Sequence, residues 1–106
     1  LSLVRGAHVR YKVLVHAKGD DVGIAVEEIA SGEQVNFVSL DEGGFEGSIE
    51  ALDPVPIGHK IALKEIPSGA NVIEYGRPIG IAASNVEAGG LVHVHNIRSL
   101  RWGDKR

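Results

Sequence analysis

Short runs of alternating or β-branched residues, each closed by a glycine-rich or acidic break, organise this chain. Tyr11-Lys12-Val13-Leu14-Val15-His16 reads as a strand that stops at the turn Lys18-Gly19-Asp20-Asp21. A second strand is expected over Val22 to Val26. Glu27 to Ser31 is helical in composition but far shorter than the ~12 residues a lone helix needs, so it reads as a single turn closed by Gly32. Val35 to Leu40 resumes strand character, Asp41-Glu42-Gly43-Gly44 is a hairpin tip, and Gly47 to Leu52 is the return strand.

One segment recurs. Ile24-Ala25-Val26-Glu27-Glu28-Ile29-Ala30-Ser31-Gly32-Glu33-Gln34-Val35 aligns without gaps to Ile61 through Val72, and again to Ile81 through Val92. Each copy holds Ile-Ala at a strand end, an inward Ile29, Ile66 or Val86, a glycine at 32, 69 or 89, and a new strand on Val. This is a sharp corner made three times. Alanine lets another backbone come close, the branched residue plugs the underside, and glycine takes the left-handed conformation that turns the chain. The unequal separations of the copies exclude a solenoid, and the pattern predicts a compact all-β domain of short bent strands with tight turns.

Two stiff connections lie between the corners. In Asp53-Pro54-Val55-Pro56-Ile57-Gly58 each proline fixes its own φ and pushes its predecessor towards extended geometry, delivering His59-Lys60 to the mouth of a corner. Tyr75-Gly76-Arg77-Pro78-Ile79-Gly80 is a second rigid turn that places the charge of Arg77. In Leu91-Val92-His93-Val94-His95-Asn96 a strand would put His93 and His95 on one face and the valines on the other. That polar face is either one wall of a site or the solvated side of an edge strand.

Composition narrows the choice. A chain of 106 residues has room for one core, and with aromatics at 5% that core must be mostly Val, Ile, Leu and Ala. A formal charge of −3 gives no general pull towards nucleic acid or anionic lipid, and neither is an expected partner. Absence of cysteine removes disulfides and metal–thiolate sites. No apolar run approaches the ~20 residues of a membrane span and no signal-peptide pattern opens the sequence, so a soluble cytoplasmic protein is expected.

His59, Lys60, Arg77, His93, His95 and Asn96 are donors or cations that suit a carboxylate, a sulfonate or a sugar acid. A metal is the rival ligand. His-x-His supplies two ligands, and His16 with Asp20 or Asp21 would have to complete the set. A nucleophilic triad is disfavoured, because Ser31 and Ser68 fall in the repeated turn, where a capping role explains them.

Gly58-His59-Lys60-Ile61-Ala62-Leu63, Ile66, Gly69, Tyr75-Gly76 with Pro78-Ile79-Gly80, Gly89 and His93-Val94-His95-Asn96 together resemble the small N-terminal domain of the altronate and galactarate dehydratase family. That module is a SAF domain with the β-clip fold, and the resemblance covers about His16 to Asn96. It divides the chain into an N-terminal extension (1–10), the SAF-like domain (11–97) and a basic tail or linker (98–106). Within the family the module also stands alone as the small subunit of (2R)-sulfolactate sulfo-lyase, and His16-Ala17-Lys18-Gly19-Asp20-Asp21-Val22-Gly23 is similar to that form. The dehydratases have Asp-Asn-Val-Ala where this chain has Asp20-Asp21-Val22-Gly23.

The resemblance implies a component of a carbon–oxygen or carbon–sulfur lyase that is inactive without a large catalytic subunit or domain. The large partner would hold the divalent metal, taken to be iron, and this chain would hold no cofactor of its own. It would contact an anionic sugar acid or sulfonated hydroxy acid and close the partner's active site. His59, Lys60, His93, His95, Asn96 and Arg77 are the expected substrate-facing residues. His16 and Asp20 are expected nearby because the first strand abuts the last. The alternative is a non-catalytic SAF module that binds carbohydrate or protein; a biotinyl or lipoyl carrier is a weaker one, since Lys64 sits in a corner and not at a hairpin tip.

Overall fold

The computed structural model describes residues 3–5, 9–41, 44–92 and 97–98, and among them every regular element is a strand. The strands are β1 (Leu3–Arg5), β2 (Val9–Val15), β3 (Val22–Ala25), β4 (Gln34–Ser39), β5 (Glu46–Glu50), β6 (Lys60–Ala62), β7 (Asn71–Glu74), β8 (Arg77–Ala82), β9 (Leu91–Val92) and β10 (Ile97–Arg98). The all-β expectation holds, and Glu27 to Ser31 forms no helix. Among the described residues no helix is long and apolar enough to cross a membrane.

One curled sheet runs in the order β5-β4-β2-β3-β6-β9, with β1 also on β2, and a second runs β10-β8-β7. Most pairings are antiparallel, but β2 and β4 run parallel, with Leu14 opposite Val38 and a register shift between Tyr11 and Val13. The expectation that the first strand abuts the last is corrected. β2 hydrogen-bonds with β1, β3 and β4, whereas β9 pairs with β6 and β10 with β8.

The corners carry the scaffold. Ile29, Ile66 and Val86 are buried, and Gly32, Gly69 and Gly89 have φ of +85°, +87° and +90°. A fourth corner also forms, over Glu50 to Ile61. It ends β5, buries Ala51 and Val55, turns through Gly58 at φ +87° and starts β6. In sequence it passes for a proline-stiffened connection because its first position is Glu50 instead of isoleucine and its plug is flanked by Pro54 and Pro56.

The four corners face each other in two pairs. In the first, Ile29 and Val55 exchange both backbone hydrogen bonds (3.0 and 2.9 Å), Gly32 N–H donates to Ala51 O, and Gly58 N–H donates to Ala25 O. In the second, Ile66 and Val86 exchange the same bonds, Gly69 N–H donates to Ala82 O, and Gly89 N–H donates to Ala62 O. Ser31 and Ser68 hydroxyls do not cap their own turns; they donate across to Leu52 O and Ala83 O of the facing corner.

Each pair makes its own hydrophobic cluster. Ala25, Ile29, Val35, Ala51, Val55 and Ile61 pack with Val13, and Ala62, Ile66, Val72, Ala82, Val86 and Val92 pack with Val22. The same three corner positions thus fill the core four times, each branched side chain contributing about 1.5–3 kcal/mol of burial. Neighbouring strands β2 and β3 supply the remaining residue of each cluster.

Candidate functional site

The β7–β8 hairpin turns through Tyr75 and Gly76, at φ +60° and +72°, with Glu74 opposite Arg77 in register. Two positive φ values make a type I′ turn, whose twist matches the flanking strands and whose usual residues are Asn-Gly or Asp-Gly. The tip is gripped from the β2–β3 loop. Asp20, 2% exposed, accepts hydrogen bonds from Tyr75 N–H (2.9 Å), Gly76 N–H (3.0 Å) and Ala17 N–H (3.2 Å). Asp21 N–H donates to Ile73 O, its carboxylate accepts from Ile73 N–H at 2.8 Å, and Lys64 Nζ lies 3.4 Å from its other oxygen.

This clamp brings three strand ends together. His16 follows the end of β2, Lys60 opens β6 and Glu74 closes β7. Glu74 sits between the two side chains, with His16 Nε2 3.6 Å from one carboxylate oxygen and Lys60 Nζ 3.7 Å from the other. It is only 6% exposed. The Tyr75 ring lies flat on the His16 imidazole, with centroids 3.9 Å apart and planes 13° from parallel.

Of the residues expected from sequence, His16 and Lys60 meet at Glu74; the exposed His59 directly precedes Lys60, and the exposed Arg77 is the register partner of Glu74. Neither His59 nor Arg77 is in an ion pair among the described residues. Asp20 is drawn behind the tip, with its carboxylate occupied by backbone donors, so it holds the site together from below. His93, His95 and Asn96 lie outside the described residues. They follow Val92, which is the register partner of Lys60.

Sequence reasoning missed Glu74 and the role of Tyr75. The signal for Glu74 was the strand period: Val72 is buried, so Glu74, two residues on, faces the same way. The signal for Tyr75 was a bulky residue directly before glycine in a two-residue turn that ordinarily carries Asn or Asp. Among the described residues no three His, Cys, Asp or Glu side chains converge as a metal site would need.

The departure Asp20-Asp21-Val22-Gly23 falls in the clamp and its packing. Asp21 serves the hairpin and Lys64, and a methyl on Gly23 would stand 2.5 Å from Val13 Cγ1. Alanine there requires Val13 to move.

Residues 11–100 match the SAF domain of altronate/galactarate dehydratase. The chain is 33% identical over 90 residues to (2R)-sulfolactate sulfo-lyase subunit alpha of Chromohalobacter salexigens, covering 84% of this chain and 95% of that subunit. It is 42% identical over 65 residues to the Paracoccus pantotrophus subunit of the same name, covering 61% of this chain and 94% of that one. To Escherichia coli altronate dehydratase it is 40% identical over 87 residues, 82% of this chain but 16% of the dehydratase. Fold, corner glycines and family match agree: this chain belongs to the altronate/galactarate dehydratase family, as its SAF domain.

Proposed function

We propose that this chain is the small, substrate-facing part of a two-part lyase, with residues 11–97 as the folded module and a large catalytic subunit or domain completing the site. That partner would carry the divalent metal and the bond-breaking chemistry. The observation that carries the reading is the convergence of His16 and Lys60 on a single nearly buried carboxylate, Glu74, at one end of the molecule. The exposed Arg77 is the register partner of Glu74, and the exposed His59 directly precedes Lys60. Such a surface suits the carboxylate or sulfonate of a hydroxy acid, with Glu74 orienting the two nearest donors. His93, His95 and Asn96, next in sequence after the strand that pairs with Lys60, belong to the same wall in this reading.

The chemistry asked of this chain is binding and enclosure. Elimination of water or sulfite needs the acid group held while a proton leaves the neighbouring carbon. Covering the site also excludes water from it. The test is a complex of the full chain with the large catalytic subunit, assayed with (2R)-sulfolactate and with altronate. Turnover of one of them should depend on this chain, and Lys60→Met or Arg77→Met should raise KM about tenfold or more, as expected for loss of a charge-assisted contact. Turnover that is the same with and without the chain would overturn the reading in favour of a non-catalytic binding module.

A further inference from the structure

The tip of the β7–β8 hairpin is built against its own backbone preference. A non-glycine residue with φ of +60° occupies a sparsely populated region, and a bulky aromatic is a poor occupant of it. The buried Asp20 carboxylate offsets the strain by taking the N–H groups of both turn residues. Asparagine would keep the turn and those hydrogen bonds with less strain. Nor does core packing account for the ring, since Tyr75 is 66% exposed. What the ring does is lie flat on His16, whose Nε2 faces Glu74 at 3.6 Å.

We infer that Tyr75 is a positioning residue: at the hairpin tip it fixes the plane of the His16 imidazole against Glu74, so that His16 meets an anionic hydroxy-acid substrate in a single orientation. Two supports set the ring from different directions. Glu74 sets its in-plane rotation through Nε2, and Tyr75 sets its tilt by stacking. Without the stack, rotation about χ1 and χ2 would let the imidazole swing away from the carboxylate. This inference rests on the substrate-facing reading of this end of the molecule.

The test uses the full chain in complex with the large catalytic subunit, (2R)-sulfolactate and altronate as probes, and the melting temperature of each variant. Tyr75→Asn should keep or raise the melting temperature while lowering kcat by about 10- to 100-fold, the cost of a misplaced group, with little change in KM. Tyr75→Phe, which keeps the stack, should recover most of the turnover. His16→Gln should lose at least as much as Tyr75→Asn, and the double variant should lose no more than His16→Gln alone. Normal turnover of Tyr75→Asn beside an impaired His16→Gln overturns the positioning role and leaves the substrate-facing reading standing. A Tyr75→Asn loss that tracks a lowered melting temperature, or that adds in full to His16→Gln, also overturns it. An unimpaired His16→Gln overturns the reading itself and the inference with it.

Discussion

The four corners and the β7–β8 tip both reverse the chain through left-handed backbone, and they fill that position differently. At the corners it is always glycine: Gly32, Gly58, Gly69 and Gly89, with φ between +85° and +90°. At the tip it is Tyr75, followed by Gly76. The corners use the residue that makes the turn at least cost and spend their side chains on the core. The tip accepts a strained residue whose ring covers a histidine beside a nearly buried carboxylate. The repeated regions explain the fold, and the place where the chain departs from the cheapest turn is the face proposed as substrate-facing.

If the corners are scaffold, their glycines should rank by what surrounds them. At Gly89 a Cβ would lie 2.1 Å from Glu50 O, where the second corner pair meets the end of β5. Gly89→Ala should therefore cost about 3–5 kcal/mol, the left-handed penalty plus a forced backbone shift, read as a lowered midpoint in a thermal or urea melt. Ile66→Ala, at the centre of the second cluster, should cost about 2–5 kcal/mol by the same measurement. Gly32→Ala sits at a similar left-handed φ to Gly89 but has open space around the new methyl, so only the left-handed penalty of about 1–2 kcal/mol applies. Equal losses at Gly32 and Gly89 would break the distinction between a turn and a junction.

How far the sequence reveals this molecule follows from what is local. The three corners that begin Ile-Ala were legible because residue type, order and spacing repeat. The fourth was not, because Glu50, Pro54 and Pro56 replace the recognisable letters while Ala51, Val55 and Gly58 keep the physical roles. The parallel pairing of β2 with β4 depends on non-local packing that no short stretch encodes. His16 and Lys60 stood out in the sequence as polar, basic candidates, but the first strand was expected beside the last. They meet at Glu74 of β7, not across a first and last strand. Asp20 looked like a ligand because it is acidic in a turn, and its burial behind Tyr75 and Gly76 gives it another task.

A smaller effect separates scaffold charges from the tip cluster by pH. On the β2–β4 side the Lys12 ammonium hydrogen-bonds Glu33 and, with the Ala30 N–H, holds its carboxyl below the usual 4.5. A carboxyl depressed in the folded state stabilises it above the unfolded value, and that contribution fades as pH falls below about 4.5 through the native value. The pair is partly exposed, so the contribution is under about 1 kcal/mol. The melting-temperature gap between the wild-type chain and Glu33→Gln should be present at pH 6 and narrow progressively as pH falls below about 4.5.

The most direct measurement is turnover and melting temperature of Glu74→Gln in the complex with the large catalytic subunit. Glu74 is the side chain on which His16 and Lys60 converge, and glutamine keeps its shape. The expected result is a fall in turnover of about 100-fold with the melting temperature little changed, because glutamine still offers an oxygen acceptor and the partly exposed Lys60 can be hydrated. Wild-type turnover by Glu74→Gln, or a loss only in step with a lowered melting temperature, would contradict the assignment of this end as the working face.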